Sequence, residues 1–261
     1  MTHPLAGCWA KLRRTDANLT QLNDAIMAFF NRTPYETVTD LKIEEGEDVG
    51  EATVRARFVD PLPVEDLGVL IGEFVHNLRS SLDQLAWQLS IRAGNDPPPA
   101  GTEFPVFIDC DKFVTSGRHK IRGLSVDDRL WIEEIQPYHY GDSHPLWVLH
   151  DLSVRDKHRY ALRTALEVQW PIMEPPETKD LFVLDETYPS GLPPYYEGDV
   201  IALYKVRQTG PDPKLNVKTH FTLNVLLDEG GATKGEGLFK TLLQLEEAVR
   251  EIVKSFEPRF K

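Results

Sequence analysis

The sequence predicts an α+β fold, and three patterns predict it. Apolar residues step by three and four without a break through 64–92, which marks one long amphipathic helix. Apolar and polar residues alternate in two neighbouring runs, 35–43 and 52–58, and again in 217–227, which is strand periodicity. The segments do not alternate as strand–helix–strand units, so a parallel sheet is not expected. The expected architecture is a long central helix with flanking helices, packed against antiparallel strands and closed by a C-terminal helix. An N-terminal hairpin and C-terminal strands supply the sheet. Residues 1–261 read as a single domain, with the Gly/Pro-rich stretch 171–198 as a mobile insertion.

Along the chain, Asp16, Leu19, Leu22, Ile26, Phe29 and Phe30 place a first helix over 16–31, with Asp16 as its N-cap and Pro34 behind it. Tyr35, Thr37, Thr39, Leu41 and Ile43 share one strand face; Ala52, Val54, Ala56 and Phe58 share a face of the next. Glu45-Gly46-Glu47-Asp48 joins them as a hairpin, and Pro61 and Pro63 end it. The long helix carries its stripe on Val64, Leu67, Ile71, Phe74, Leu78, Leu82, Leu85 and Leu89, and a Pro/Gly-rich segment from Gly94 to Gly101 stops it. The stretch 102–124 is expected to be irregular, with an extended piece over 104–108. Ser125 caps a helix reaching Ile135, its first turn acidic through Asp127 and Asp128. Pro145 opens another helix through Leu152, with 155–166 continuing it. Beyond Trp170 strands take over, over 200–207 and 217–227. Leu238, Leu242, Leu245, Val249, Ile252 and Phe256, stepping by four and three, form the closing helix.

Charge narrows the function classes. With 29 Lys and Arg against 41 Asp and Glu, the formal net charge is −12. A general nucleic-acid coat or a binder of anionic membranes needs a basic surface, so both are excluded. No run approaches the ~18–20 apolar residues of a bilayer span. Met1 to Arg14 lacks the apolar core of a secretory signal. Cys8 and Cys110 stand far apart and outside any ligand spacing, so they read as reduced thiols of a soluble, cytoplasmic protein. Basic residues nevertheless gather locally, as Arg118, Lys120 and Arg122 and as Arg155, Lys157, Arg159 and Arg163. A small anion site beside the histidines therefore stays open.

Two polar constellations stand out. On the long helix, His76, Arg79, Asp83 and Trp87 line one flank of the apolar stripe, with Asn77, Gln84 and Gln88 on the opposite, wetter side. A guanidinium, a carboxylate and an imidazole within helical reach can build an anion-binding, proton-transferring group, or a half-buried ion pair that orients the helix. The second constellation is His150-Asp151-Leu152-Ser153-Val154-Arg155-Asp156-Lys157-His158-Arg159, within a region holding five of the eight histidines. In helical form it pairs Asp151 with Arg155. Its candidate ligand-binding residues are His150, Arg155, Asp156, Lys157 and Arg159. The histidine spacings give no H-x-H or H-x-x-x-H, so no metal is expected. Ser153 sits in no G-x-S-x-G elbow, and no Gly-rich phosphate loop occurs, so no cofactor is expected. Trp131, Tyr138, Tyr140 and Trp147 line a pocket or, more simply, fill the core.

The series His76-Asn77-Leu78-Arg79-Ser80-Ser81-Leu82-Asp83, Phe104-Pro105-Val106, Gln136-Pro137-Tyr138, His144-Pro145-Leu146-Trp147 and Asp156-Lys157-His158-Arg159 resembles a family of uncharacterised bacterial cytoplasmic proteins. The resemblance covers 15–165 by motif and implies no particular activity. The helix motif alone is similar to the R-x4-6-H signature of HEPN-type ribonucleases. That resemblance implies Arg79 stabilising charge on an RNA phosphate while a histidine moves a proton. Here the closing position is Gln84, which cannot transfer the proton, leaving His76 or His158 to supply the imidazole.

The leading expectation is a binding or regulatory protein with a site for a small anion. The alternative is a phosphodiester-cleaving enzyme, with His76, Arg79, Asp83 and His158 as catalytic residues acting on an RNA phosphate. A metal-dependent hydrolase built on the histidine cluster is a second alternative. The several apolar stripes leave room for a homodimer.

Overall fold

A computed structural model of the protein describes residues 3–158, 162–188, 198–228 and 236–260. The fold is α+β, with an antiparallel sheet and a C-terminal helix. Its chain divides into two compact units. The first comprises 1–25, 63–164 and 227–261; the second comprises 26–62 and 165–226.

The first unit is helical. Helix α1 (Ala6–Phe30) starts ten residues before the expected 16–31. The early turns lay hidden because Cys8, Thr15 and Asn18 hold positions on the buried face beside Leu5, Leu12 and Leu22, which breaks the apolar signal. Asp16 is consequently mid-helix rather than a cap, and its carboxylate accepts from Arg250 Nη2 at 2.6 Å. Helix α2 (Val64–Arg92) matches its expected bounds, and Leu67 to Leu89 of its stripe are fully buried. One side of α2 differs from expectation. Asn77 is buried rather than wet: its amide donates to Asn18 Oδ1 at 3.2 Å, and its Oδ1 accepts from Lys11 Nζ at 3.2 Å. Helix α1 covers that side.

The stretch 102–124 is less irregular than expected. Short helices α3 (Cys110–Lys112) and α4 (Arg118–Lys120) flank a π-helical turn over Phe113–Gly117, making one helical segment from 110 to 120. Its buried large apolar residue, Phe113, stands alone and shows no period. Helix α5 (Val126–Glu134) begins as expected, with Ser125 Oγ accepting from the Asp128 amide at 3.2 Å. Helix α6 (Pro145–His158) ends at His158 instead of running to 166, and a strand begins at Thr164. Helix α7 (Leu238–Phe256) presents the predicted face, with Leu238, Leu242, Leu245, Val249 and Phe256 buried. Helices α2, α6 and α7 pack against one another.

Gly72 of α2 leaves room for the Asp156 side chain of α6. A Cβ there would lie 2.3 Å from Asp156 Oδ1. Alanine favours a helix by about 1 kcal/mol over glycine, but over-packing costs about 1–3 kcal/mol. Gly72→Ala is therefore expected to lower the melting temperature, and the double variant with Asp156→Ala to restore it. A Gly72→Ala protein as stable as wild type would show that the Asp156 side chain swings aside at no cost.

The second unit is built on strands. Strands β1 (Tyr35–Lys42) and β2 (Val49–Phe58) pair antiparallel with Tyr35 opposite Phe58, forming the expected hairpin, and Gly46 takes a φ of 91° at its tip. The sheet runs β1-β2-β6-β5, where β5 is Leu181–Thr187 and β6 is Val200–Gln208. Ala52, Val54, Ala56, Ile201, Tyr204 and Val206 fill its core face. Two small pairs complete the unit: β3 (Thr164–Met173) with β8 (Thr219–Leu227), and β4 (Glu177–Lys179) with β7 (Lys214–Asn216). Of the stretch expected as an insertion, 177–187 supplies β4 and β5, while 189–197 lies outside the described residues.

Candidate anion-binding site

Arg79 and Asp83 sit one turn apart on α2, at the border of its buried face. Arg79 is 8% exposed, and its Nη2 donates to Asp83 Oδ1 at 2.9 Å. Nη2 also donates to the carbonyl of Phe104, and Asp83 Oδ1 accepts from the Phe104 amide at 3.0 Å. The ion pair thus acts as a strand partner for one residue of the segment 104–108, satisfying both of its backbone groups. Burial pushes the Asp83 carboxyl up from its ordinary value, and the Arg79 charge opposes that shift.

Gln136 secures the same segment further along. It is completely buried; its Nε2 donates to Pro105 O at 3.0 Å and its Oε1 accepts from the Phe107 amide at 3.1 Å. The Tyr138 amide completes the set by donating to Phe107 O at 3.2 Å. Both sequence motifs, Phe104-Pro105-Val106 and Gln136-Pro137-Tyr138, therefore serve one purpose: they fix an extended segment without a sheet. Pro105 suits such a place because it offers no amide that would need a partner.

The fixed segment forms one wall of a cavity of about 300 Å³. Val106, Phe107 and Ile108 come from this wall, and Trp147 and His150 from α6. Arg79 reaches it from α2, and Asp109, Lys112 and Lys120 from the helical segment that follows. Gly117 allows Phe107 to lie close, since a Cβ there would stand 2.9 Å from its ring. The Lys120 ammonium pairs with Glu103 and lies 5.7 Å from the centre of the Phe107 ring. Asp109 is engaged as a helix cap, accepting from the Lys112 amide at 3.1 Å. The rings of Trp147 and His150 stand 5.5 Å apart, tilted by 34°.

Arg79, which lines this cavity, carries one donor without a partner. Arg79 Nη1 is buried and makes no hydrogen bond among the described residues. An unsatisfied donor on a buried charged group is costly, by roughly 1–3 kcal/mol or more. His150 is neutral near pH 7, because burial and the neighbouring Arg79 and Lys120 charges push its pKa down to about 4. The cavity is thus lined by a guanidinium with one buried, partnerless N–H, an uncharged imidazole and two lysines, beside aromatic walls.

The residues expected to act together are split between two places. Arg79 and His150 line the cavity, with Asp83 paired to Arg79, whereas His76 is exposed and lines an open hollow with Val69, Gly72, Glu73 and Asp156. Helices α2 and α6 run antiparallel, so Gly72 faces Asp156 where Arg79 faces His150. Burial raises the Asp156 carboxyl, with His76 and Lys157 opposing. Arg155 pairs with Asp151 at 2.9 Å as its spacing predicts. Lys157 is exposed; the side chain of His158 and all of Arg159 lie outside the described residues. The sequence reading missed Lys112, Lys120 and Gln136. Lys120 had a signal, as part of the local basic cluster, but nothing placed it beside Arg79.

Among the described residues, no group of three or more His, Cys, Asp or Glu is arranged to hold a metal ion, and no helix is long and apolar enough to cross a membrane. Both cysteines are unpaired; Cys8 is buried, which pushes its thiol up to about 11, and Cys110 is exposed. No family model, curated protein or solved structure matches the chain.

Proposed function

We propose that the protein binds a small anionic ligand in the Arg79 cavity and acts as a binding or regulatory protein. The observation that carries this reading is the buried Arg79 whose Nη1 has no partner while its Nη2 serves two acceptors. An anion drawn against Arg79 would give that N–H a charge-assisted hydrogen bond. The unpaired thiols accord with a cytoplasmic setting.

The test is thermal stability in acetate, benzoate, inorganic phosphate and sulfate at constant ionic strength. Ligand binding to the native state raises the melting temperature by mass action. At least one of these anions is expected to raise it for wild type and to leave Arg79→Gln unmoved, with both proteins checked for fold by circular dichroism. Equal responses in both proteins, or none in either, would overturn the reading.

A second reading, cleavage of RNA, is supported by the imidazole of His150 beside Arg79 in one cavity. In that case the proton carrier is His150 instead of His76 or His158, and the resemblance of the helix to HEPN-type ribonucleases rests on Arg79. Incubating RNA with wild type and with Arg79→Ala decides it: cleavage by wild type alone supports it, and equal inertness ends it.

A further inference from the structure

We infer that the ligand of the Arg79 cavity is a monocarboxylate carried on a flat apolar body, such as an aromatic acid; the inference rests on the anion-binding reading. Three features point to it. The first is charge. The positive groups at the cavity are Arg79, Lys112 and Lys120; Asp83 holds Arg79, Glu103 holds Lys120, and Asp109 lies on the same wall as Lys112. Three cations set against three carboxylates leave the site with no net surplus, so each added negative charge rests on the one unpartnered guanidinium N–H, and the second charge of a dianion makes its burial far costlier than that of a single charge. His150 adds no charge near neutrality.

The second feature is donor geometry. The free part of Arg79 is the Nη1 end, since Nη2 is already shared between Asp83 and the Phe104 carbonyl. A guanidinium so committed can grip one or two oxygens at one edge, which matches a carboxylate. It cannot wrap the several oxygens of a phosphate. The third feature is the remaining wall. Val106, Phe107, Ile108 and Trp147 form an apolar surface that a compact inorganic ion would leave uncovered, and its aromatic members favour contact with a ring. The volume of about 300 Å³ equals the space of about ten water molecules in the liquid, which suits a single ring with a short acid group.

Calorimetric titration of the full chain with benzoate, benzyl alcohol and inorganic phosphate tests this. Benzoate is expected to bind at least roughly tenfold more tightly than either of the others, as a lost charge-assisted hydrogen bond predicts. Arg79→Gln is expected to weaken benzoate about 10- to 100-fold. Trp147→Ala, which leaves the Arg79 contacts in place, is expected to weaken it about tenfold by removing one aromatic face. Phosphate binding as tightly as benzoate would overturn the inference and leave the anion reading standing. Benzyl alcohol binding as tightly as benzoate would overturn both, because charge would then play no part. Benzoate affinity unchanged in Trp147→Ala would overturn the aromatic body, even if Arg79→Gln proved unfolded.

Discussion

Replacing Asp128 with alanine is expected to cost about 3 kcal/mol of folding stability in a urea titration, the lower end of what breaking a buried ion pair costs. Asp128 is completely buried and accepts from three side chains at 2.6 Å: Arg92 Nη2, Ser125 Oγ and Arg259 Nη1. It thereby ties the end of α2, the start of α5 and the segment after α7 to one point. Both arginines are about a third exposed and can return to water once the carboxylate is gone, which keeps the loss from being larger. Asp128→Asn keeps one acceptor oxygen, replaces the other with an NH2 that faces a donor, and loses the charge, so it too should destabilise clearly. A loss below about 1 kcal/mol for alanine would reduce the cluster to the value of a surface ion pair.

The second large effect concerns acid. His150 has a folded-state pKa of about 4 against an ordinary value of 6.5. Its neutral form is favoured in the folded protein, so the contribution to stability is full above pH 6.5 and is lost as the pH falls through 4. The groups facing it are Arg79 from α2 and Lys120 from α4, which disfavour the imidazolium. Asp151 on its own helix and Glu103 oppose them. Allowing for partial exposure, stability should fall by roughly 2 kcal/mol across that window. His150→Gln should lose less stability over the same range by that amount. His144, also depressed by burial, keeps some acid sensitivity in the variant, so the difference between the two proteins is the quantity to measure. Parallel pH profiles would show that His150 is not held neutral by its surroundings.

Periodicity carried the long elements. The α2 stripe, the β1–β2 hairpin and α7 were readable because an unbroken apolar row along one face announces both the element and its buried side. The same logic failed where the buried face holds polar residues. Thr15, Asn18 and Asn77 satisfy their side chains against partners far away in the sequence, which hides the first turns of α1 and inverts the wet side of α2. Half of the candidate site was legible for a local reason: Arg79 and Asp83 are four residues apart on a helix. Its other half needs tertiary placement. Gln136 fixes the cavity wall and Lys120 lines the cavity from residues far from Arg79 in sequence, and His76, one turn from Arg79, opens onto Asp156 instead. Three residues along a helix turn the side chain far enough to face another part of α6.

The first unit joins parts of the chain made far apart in time. Thr15 Oγ1 donates to Glu246 Oε1 at 2.7 Å across 231 residues of sequence, and Trp9 Nε1 donates to Glu257 Oε1 at 2.8 Å across 248. On a ribosome adding about 5–20 residues per second, α1 waits some ten seconds or more for α7 to emerge. Over that interval Leu5, Leu12 and Leu22 have no completed core to enter. The β1-β2-β6-β5 sheet needs nothing beyond Gln208, so its strands can pair while α1 still awaits its partner. The core of the first unit is therefore completed last, when α7 arrives, after the strands of the second have had time to pair.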